Sequence, residues 1–335
     1  MKAVVLVGGF GTRLRPLTTS VPKQMLPVVD RPMIEHVLAG LGRHGISEAV
    51  LALGFQPDAF IDAYPDGQCA GLSLVYAVEP EPLDTAGAIR FAADAAGIDE
   101  RFVAVNGDVF TDLDLTALID FHERSGAEGS IALTPVDDPS RYGVVPTDDD
   151  GRVLGFIEKP PIDEAPTNWI NAGSYVFEPS VLSRIAADRR VSIERETFPA
   201  LVDDGALYAQ GSDAYWVDAG TAATYIQVQL DLVNGRRDQR LPAISADAQC
   251  APDAVVNESV VAAGARVESG ATVERSVVGA GAHIGAGATV IDSVVAPGAQ
   301  VGAAASVEEF TIVGVDERIA PDARLREARV PNPQD

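Results

Sequence analysis

Of the 25 basic residues in this chain only three are lysine, Lys2, Lys23 and Lys159. Lys23 and Lys159 lie beside proline, in VPKQ and FIEKPP. An ammonium is a point charge, suited to holding an anion while some of its oxygens stay available for reaction. Arg13 lies in VLVGGFGTRLRPLT (5–18), directly after an apolar run, and offers a planar fork that matches phosphate oxygens. Gly8, Gly9 and Gly11 precede it, where glycine allows positive φ and a close approach of backbone N–H groups to an anion. Taken alone, GGFG reads first as a tight strand-to-helix turn, and it matches neither GxGxxG nor GxxxxGK[ST]. Asp108 in NGD and Asp218 in WVDAGT each follow an apolar run, and two such carboxylates together with substrate phosphates suit the oxygen preference of Mg²⁺. These residue types point to chemistry on phosphates.

The elements that must position them are legible in the hydrophobic periodicity. Short β-branched runs (AVVLV, EAVLAL, LSLVYAV, RFVAVN) alternate with helical stretches (MIEHVLAGLGRHG, DAFIDAY, TAGAIRFAADAAG, LTALIDFHERSG) across the first two thirds of the chain. That alternation predicts an α/β fold, a Rossmann-like, mostly parallel sheet with helices on both faces and its ligand beyond the carboxyl ends of the strands. After about Gly235 the pattern changes to three blocks of seventeen residues, 257–273, 274–290 and 291–307. Ser259, Ser276 and Ser293 are in register, as are Gly264, Gly281 and Gly298. A small aliphatic residue recurs about every six residues within each block, the spacing of one short strand per face of a three-sided coil. Weaker turns are expected at 246–256 and 308–325. The predicted organisation is an α/β domain over 1–235, a linker over 236–245, a repeat domain over 246–330 and a tail over 331–335.

Composition excludes several function classes. A formal net charge of −24 argues against a general nucleic-acid binder and against an anionic membrane surface. An acidic surface poor in lysine suits a salt-rich, halophilic cytoplasm. Cys69 and Cys250 lack metal-ligand spacing, and His36, His44, His122 and His283 show no paired spacing, so inert thiols in a reducing compartment and no zinc are expected. No apolar stretch is long enough to span a bilayer, and a soluble, cytoplasmic protein follows as the expectation.

GGFGTRLRPLT together with VPKQMLPVVDRPMIEH (21–36) resembles the signature of the sugar-1-phosphate nucleotidyltransferases. The resemblance runs from residue 3 to about 232, and the repeats resemble the hexapeptide left-handed β-helix carried by part of that family. It implies that Leu6, Gly8, Gly9, Gly11, Thr12, Arg13, Lys23, Glu79, Thr85, Ala86 and Gly87 bind a nucleoside triphosphate, with Arg13 holding the departing pyrophosphate. It implies that Asn106, Gly107, Gly143, Glu158, Lys159, Asn171 and Gly173 bind the sugar 1-phosphate, and that Asp108 and Asp218 hold Mg²⁺. Arg13, Lys23, Asp108 and Lys159 are the implied catalytic residues. The sugar phosphate is already an anionic nucleophile, so the reaction needs no general base, and none is apparent in the sequence.

Glu79 stands where thymidylyl and uridylyl members of the family carry glutamine. A carboxylate accepts two hydrogen bonds, matching the N1–H and N2 donors of guanine, whereas an amide both donates and accepts and suits uracil or thymine. SIERETFPAL (192–201) and EPLDTAG resemble segments of mannose-1-phosphate guanylyltransferases. Two features point the other way: Asp84 replaces a usual glycine, and Gln24 with VVDRPMI resembles the thymidylyltransferase pattern. GTP with mannose 1-phosphate is therefore the first expectation, and glucose 1-phosphate with dTTP or UTP the alternative. A non-catalytic regulatory subunit is a third reading, which retention of Arg13, Lys23, Asp108, Lys159 and Asp218 opposes. His283 shares its repeat position with Arg266 and Gln300, marking it as an outward-facing surface residue. The repeats are expected to serve assembly into a homo-oligomer or regulation, since their flat faces suit packing against another subunit.

Overall fold

The computed structural model describes every residue except 188, 238, 239 and 333–335, so parts of the expected linker and tail lie outside the described residues. It divides into two compact units, Met1–Gly9 with Ile34–Trp216, and Phe10–Met33 with Val217–Asp335. The glycine-rich signature is thereby shared: its start belongs to the first unit, and Phe10–Met33 groups with the repeats.

A mixed sheet is the centre of the first unit. Its main path runs through Ile157–Glu158, Gly143–Val144, Trp169–Phe177, Phe102–Asn106, Lys2–Leu6, Glu48–Leu53, Leu72–Val78 and Gln68–Cys69. Lys2–Leu6 is parallel to both its neighbours, with Val4 opposite Val50 and Ala104. Trp169–Phe177 runs antiparallel beside Phe102–Asn106 and also pairs with Gly129–Pro135, which in turn pairs with Leu207–Gly211. Ala3, Val4, Val5 and Ala49 to Leu53 are fully buried, the continuous apolar pattern of strands covered on both faces.

The helices are α1 (Met33–Arg43), α2 (Asp58–Ala63), α3 (Asp84–Ala95), α4 (Leu115–Ser125), α5 (Ser180–Arg184), α6 (Phe198–Asp203) and α7 (Ala222–Val233). Small residues line the buried face of α3 (Ala86, Gly87, Ala88, Ala92, Ala93), which lets it lie close to the sheet. Asp114 caps α4 by accepting from the Ala117 N–H at 3.0 Å, and Gly126 ends it in the left-handed region. Tyr175, Phe177, Phe198 and Phe156 form a run of rings 5.1 to 5.6 Å apart that carries packing from the sheet to the edge strand holding Glu158.

In the second unit, residues 249–330 form three five-stranded, all-parallel sheets, the three faces of a parallel β-helix consistent with the left-handed form. Residues seventeen apart pair directly, as Val273 with Val290, and the step widens by one residue at Val294 with Ile312. The inward side chains, including Val261, Val278, Val295, Val273, Val290, Ile284 and Val301, form a continuous core. The registered serines form a buried polar ladder inside it. Ser276 Oγ donates to Glu274 O at 2.7 Å and accepts from Ser293 N–H at 3.0 Å, while Ser276 N–H donates to Ser259 Oγ at 3.1 Å. A hydroxyl at this corner satisfies backbone groups that the short strands leave over.

Ser276→Ala orphans the Ser293 N–H in a dry environment and is expected to cost about 1–3 kcal/mol of stability. Urea unfolding reads this directly, and an unchanged midpoint would contradict the ladder's role.

Candidate active site

The strands of the first unit deliver its site residues at their carboxyl ends. Gly8 follows Lys2–Leu6 closely, and a Cβ built on it would lie 3.3 Å from Glu79 Oε1 and 3.5 Å from Gly54 N. A side chain at position 8 would crowd Glu79, while the backbone there is not left-handed. Gly11 is the one member of GGFG with positive φ, 59°, and a Cβ on it would meet Thr18 Cγ2 at 3.0 Å. A Cβ on Gly9 would meet nothing within 4 Å, so no contact inside the protein demands that glycine. Gly107 is required by packing: its N–H donates to Leu6 O at 2.9 Å, and a Cβ would lie 2.6 Å from Val7 Cγ1.

Glu79 Oε2 accepts from the Leu83 N–H at 2.9 Å, and burial raises its carboxyl above the ordinary range despite that bond. Asp84 opens α3 with φ 63°, which explains why glycine is at home in this position. Its Oδ1 accepts from the Thr85 N–H at 2.9 Å, and Arg190 lies 3.9 Å from its Oδ2. Thr85 Oγ1 donates to Glu194 Oε2 at 2.9 Å and accepts from the Ile193 N–H at 2.8 Å. The Ala86 and Gly87 N–H groups both donate to Val191 O. Thr85, Ala86 and Gly87 thus hold the Val191–Glu194 segment against α3, a contact that SIERETFPAL did not reveal because it joins positions over a hundred residues apart.

Glu158 pairs in register with Gly143, and its Oε1 lies 2.8 Å from Lys159 Nζ. Lys159 has φ 51°, and its N–H donates to Tyr142 O at 2.9 Å, so the backbone turns sharply at the residue that presents the ammonium. Asn171 Oδ1 accepts from the Gly173 N–H at 2.9 Å, and its Nδ2 donates to the Tyr175 hydroxyl at 2.8 Å. Gly173, with φ 72°, sits where a Cβ would lie 2.5 Å from Asn106 Nδ2. These glycines and amides build an irregularity in the strand pairing between Asn171 and Tyr175. Tyr175 is buried there, and burial holds its hydroxyl well above the ordinary range, with the charges of Glu194, Glu158 and Asp108 adding to the effect. Asp108 and Glu158, assigned from separate motifs, therefore act on one side chain. Trp216 joins the same region, its Nε1 donating to Ala172 O at 2.9 Å and its ring meeting Tyr142 edge-on.

In the second unit, Gly11 caps a short 3₁₀ turn, Thr12–Leu14, and Thr18 Oγ1 donates to Gly11 O at 2.8 Å. Arg13 is exposed, with Nη2 3.9 Å from Asp218 Oδ2. A Cβ on Gly220 would lie 2.6 Å from Arg13 Nη2 and 2.7 Å from Asp218 Oδ1, so glycine there leaves room for both. Lys23 is 7% exposed. Lysine is rarely buried to this degree, and that burial separates it from the solvated surface residue its sequence position permits.

Among the described residues no group of three or more His, Cys, Asp or Glu side chains is arranged to hold a metal, and no helix is long and apolar enough to cross a membrane. Asp108 in the first unit and Asp218 in the second each offer carboxylate oxygens, the donor type that Mg²⁺ prefers. Cys69 and Cys250 are free, and burial pushes the Cys69 thiol up to about 11, which leaves it inert. His283 Nε2 lies 2.7 Å from Glu268 Oε1 on the outside of the β-helix, a surface pair.

Gly143→Ala places a Cβ 2.7 Å from Phe156 Cε1 and 3.2 Å from Glu158 Oε2. It is expected to cost about 1–3 kcal/mol as the ring shifts within its aromatic run. Denaturant unfolding tests this, and wild-type stability would refute the contact.

The family model described as nucleotidyl transferase matches residues 2–235, and one described as the GMPPB C-terminal domain matches residues 241–334. The chain is 44% identical over 235 residues to the mannose-1-phosphate guanylyltransferase of Mycobacterium tuberculosis, covering 70% of this chain and 65% of that protein. It is 42% identical over 230 residues to the mannose-1-phosphate guanyltransferase of Emericella nidulans, covering 68% and 62%. The match thus spans just under two thirds of each relative's length. Among solved structures, HddC from Yersinia pseudotuberculosis complexed with GMP-PN superposes with a TM-score of 0.59 at 28% identity, over 68% of this chain and 97% of that one. The chain belongs to the nucleotidyl transferase family.

Proposed function

We propose that this chain is a mannose-1-phosphate guanylyltransferase, converting GTP and mannose 1-phosphate to GDP-mannose and pyrophosphate. The observation that carries the choice of base is Glu79, a carboxylate fixed by the Leu83 N–H beside Gly8, where an amide would favour a pyrimidine edge. The names of the relatives described above agree with it.

In this reading an oxygen of the sugar 1-phosphate forms the new bond to the α-phosphorus as the bond to the bridging oxygen of pyrophosphate breaks. Direct displacement needs two anions held in line and their charge offset, with no covalent intermediate. Arg13 and Lys23 serve the triphosphate, and Lys159 holds the sugar phosphate. Glu158, whose partner in the free protein is Lys159, hydrogen-bonds sugar hydroxyls beside Asn171, Gly143 and Gly173. Asp108 and Asp218 are the proposed Mg²⁺ ligands, and bound Mg²⁺ would supply further charge neutralisation on the phosphates. A cytoplasmic location, an adaptation to high salt and assembly into a homo-oligomer through the β-helix belong to the same proposal, supported by the acidic composition and the repeat faces.

Purified protein incubated with Mg²⁺, each NTP and a panel of hexose 1-phosphates is expected to release pyrophosphate best with GTP and mannose 1-phosphate. Release with dTTP or UTP and glucose 1-phosphate instead would transfer the assignment to the alternative, and no release with any pair would return the chain to the non-catalytic reading.

Glu79→Gln is expected to raise KM for GTP at least about tenfold, the cost of roughly one mismatched hydrogen-bonding edge. The pH dependence has a definite sign. Guanine binding needs the carboxylate, and burial raises the Glu79 pKa, so GTP affinity falls on acidification at a higher pH than an exposed glutamate would give. The same burial penalises the charged form of the free protein, so the Glu79 contribution to stability falls as pH rises through its raised pKa. Glu79→Gln removes that acid limb; an unchanged pH profile and KM would exclude Glu79 from the base pocket.

A further inference from the structure

One face of the β-helix differs from the other two. Val261, Val278, Val295 and Val313 point into the core, and neighbouring residues of a strand face opposite sides, so Val260, Val277, Val294 and Ile312 point outward. They are nevertheless no more than 6% exposed. The equivalent outward positions of another face hold Arg266, His283, Gln300 and Arg318. Within the second unit, α7 packs on the first strand of the apolar face. α7 is in turn fastened to the Pro27–Val29 turn: Gln229 Oε1 accepts from the Val29 N–H at 3.1 Å, and the Tyr225 hydroxyl donates to Pro27 O.

The contact between this face and Phe10–Met33 is uneven along the coils. Opposite the early coils a groove of about 450 Å³ opens, with Pro27, Val29 and Gln229 on one wall and Val260, Val277 and Gly279 on the other. At the fourth coil the gap closes, and a Cβ on Gly314 would lie 2.9 Å from Val330 O and 3.3 Å from Pro331 Cδ in the next coil and 3.1 Å from Pro16 Cγ. This is also the coil at which the repeat lengthens by one residue, between Ser293 and Thr311. Pro16 is buried and leads through a short path to the phosphate turn. Thr19 N–H donates to Pro16 O, Thr18 Oγ1 donates to Gly11 O, and Thr18 Cγ2 fills the space beside Gly11.

We propose that Gly314 is a positioning residue for nucleotide binding: the fourth coil of the β-helix seats Pro16, and Pro16 with Thr18 sets the Gly11–Arg13 turn that faces the triphosphate. The inference rests on reading that turn as the triphosphate site. A methyl group at 314 meets Val330 O within the β-helix, a contact of the kind that Gly285→Ala also makes, and in addition the ring of Pro16, whose displacement moves the turn.

The test uses full-length protein and measures GTP binding by equilibrium dialysis, KM for each substrate and thermal unfolding. Gly314→Ala is expected to weaken GTP binding about tenfold with KM for the sugar phosphate within about twofold of wild type, since displacing a binding group by a fraction of an ångström has effects of this order. Gly285→Ala is the control, because its Cβ would meet Ala303 N at 2.8 Å and Val301 O at 2.9 Å inside the β-helix alone. It is expected to lower the unfolding temperature without changing GTP binding. Adding Pro16→Ala to Gly314→Ala lets the new methyl take up the space of the missing ring, and the double variant is expected to bind GTP more tightly than either single variant. Should Gly314→Ala not fold, Pro16→Ala alone reads the contact from the other side and is expected to weaken GTP binding. Unchanged GTP binding in a folded Gly314→Ala, equal weakening by Gly285→Ala, or no recovery in the double variant overturns the proposal. Wild-type protein that binds no nucleoside triphosphate sinks the functional reading and this inference with it.

Discussion

The parallel register of Lys2–Leu6, Glu48–Leu53, Leu72–Val78 and Phe102–Asn106 is the constraint on which the first unit depends, because strands that run the same way must all release the chain at one edge. At that edge Gly8, Gly54, Glu79 and Asp108 emerge within a few residues of their strands. The crowding this creates is visible in the glycines. A Cβ on Gly54 would lie 3.2 Å from Gly8 O, one on Gly8 would meet Glu79, and one on Gly107 would meet Val7. Three of the four strand ends thus carry glycine where adjacent chains come close, and Glu79 occupies the space beside Gly8. The same sheet changes character on its other side, where the antiparallel Trp169–Phe177 brings Asn171, Gly173 and Tyr175 alongside Asn106.

The β-helix solves a different problem. Strands of two or three residues cannot stabilise themselves, and each coil buries its aliphatic residues only against the coils above and below. Between strands the chain must turn without leaving polar backbone groups unpaired inside, and the serine ladder does this from within the corner. The residue before each ladder position is left-handed, at Glu258, Arg275 and Asp292, and here the seventeen-residue period reappears as a period in φ. Arg275 uses this conformation to reach Asp292 one coil on, at 2.7 and 2.9 Å, so a strained backbone position also carries a cross-coil ion pair.

Much of this was legible in the sequence, for physical reasons that can be named. Hydrophobic periodicity gave the alternating strands and helices, since burial on both faces leaves an unbroken apolar run in AVVLV and EAVLAL. The seventeen-residue spacing marked the coils because each residue pairs with its own equivalent. Lys23 and Lys159 stood out only against a chain nearly without lysine. What could not be seen were contacts between distant segments: Thr85 with Glu194, Trp216 with Ala172, and Gly314 with Pro16. The left-handed backbone at Lys159 was equally hidden, because lysine does not announce it, whereas at Asp84 the usual glycine was a hint. Gly9 marks the opposite failure: glycine there invites a backbone explanation, and no contact within the chain supplies one.

The acidic composition and the residues proposed to handle phosphate pull in opposite directions. A net charge of −24 sets up a field that opposes the approach of any anion at low ionic strength. Salt near physiological strength screens exposed charges beyond about 8 Å, so distant carboxylates count for little once a substrate is near, and local cations decide binding. The structure meets this with two unlike lysines. Lys23 is buried, where screening by salt is weakest and an ammonium would act most strongly on a nearby anion. Lys159 keeps a largely exposed side chain paired at 2.8 Å with Glu158, and under the proposed function a phosphate arriving there would displace the carboxylate and leave Glu158 to accept from a hydroxyl. An exchange of partners of that kind would let one acidic residue serve both states of the proposed site, in a chain with about twice as many acids as bases.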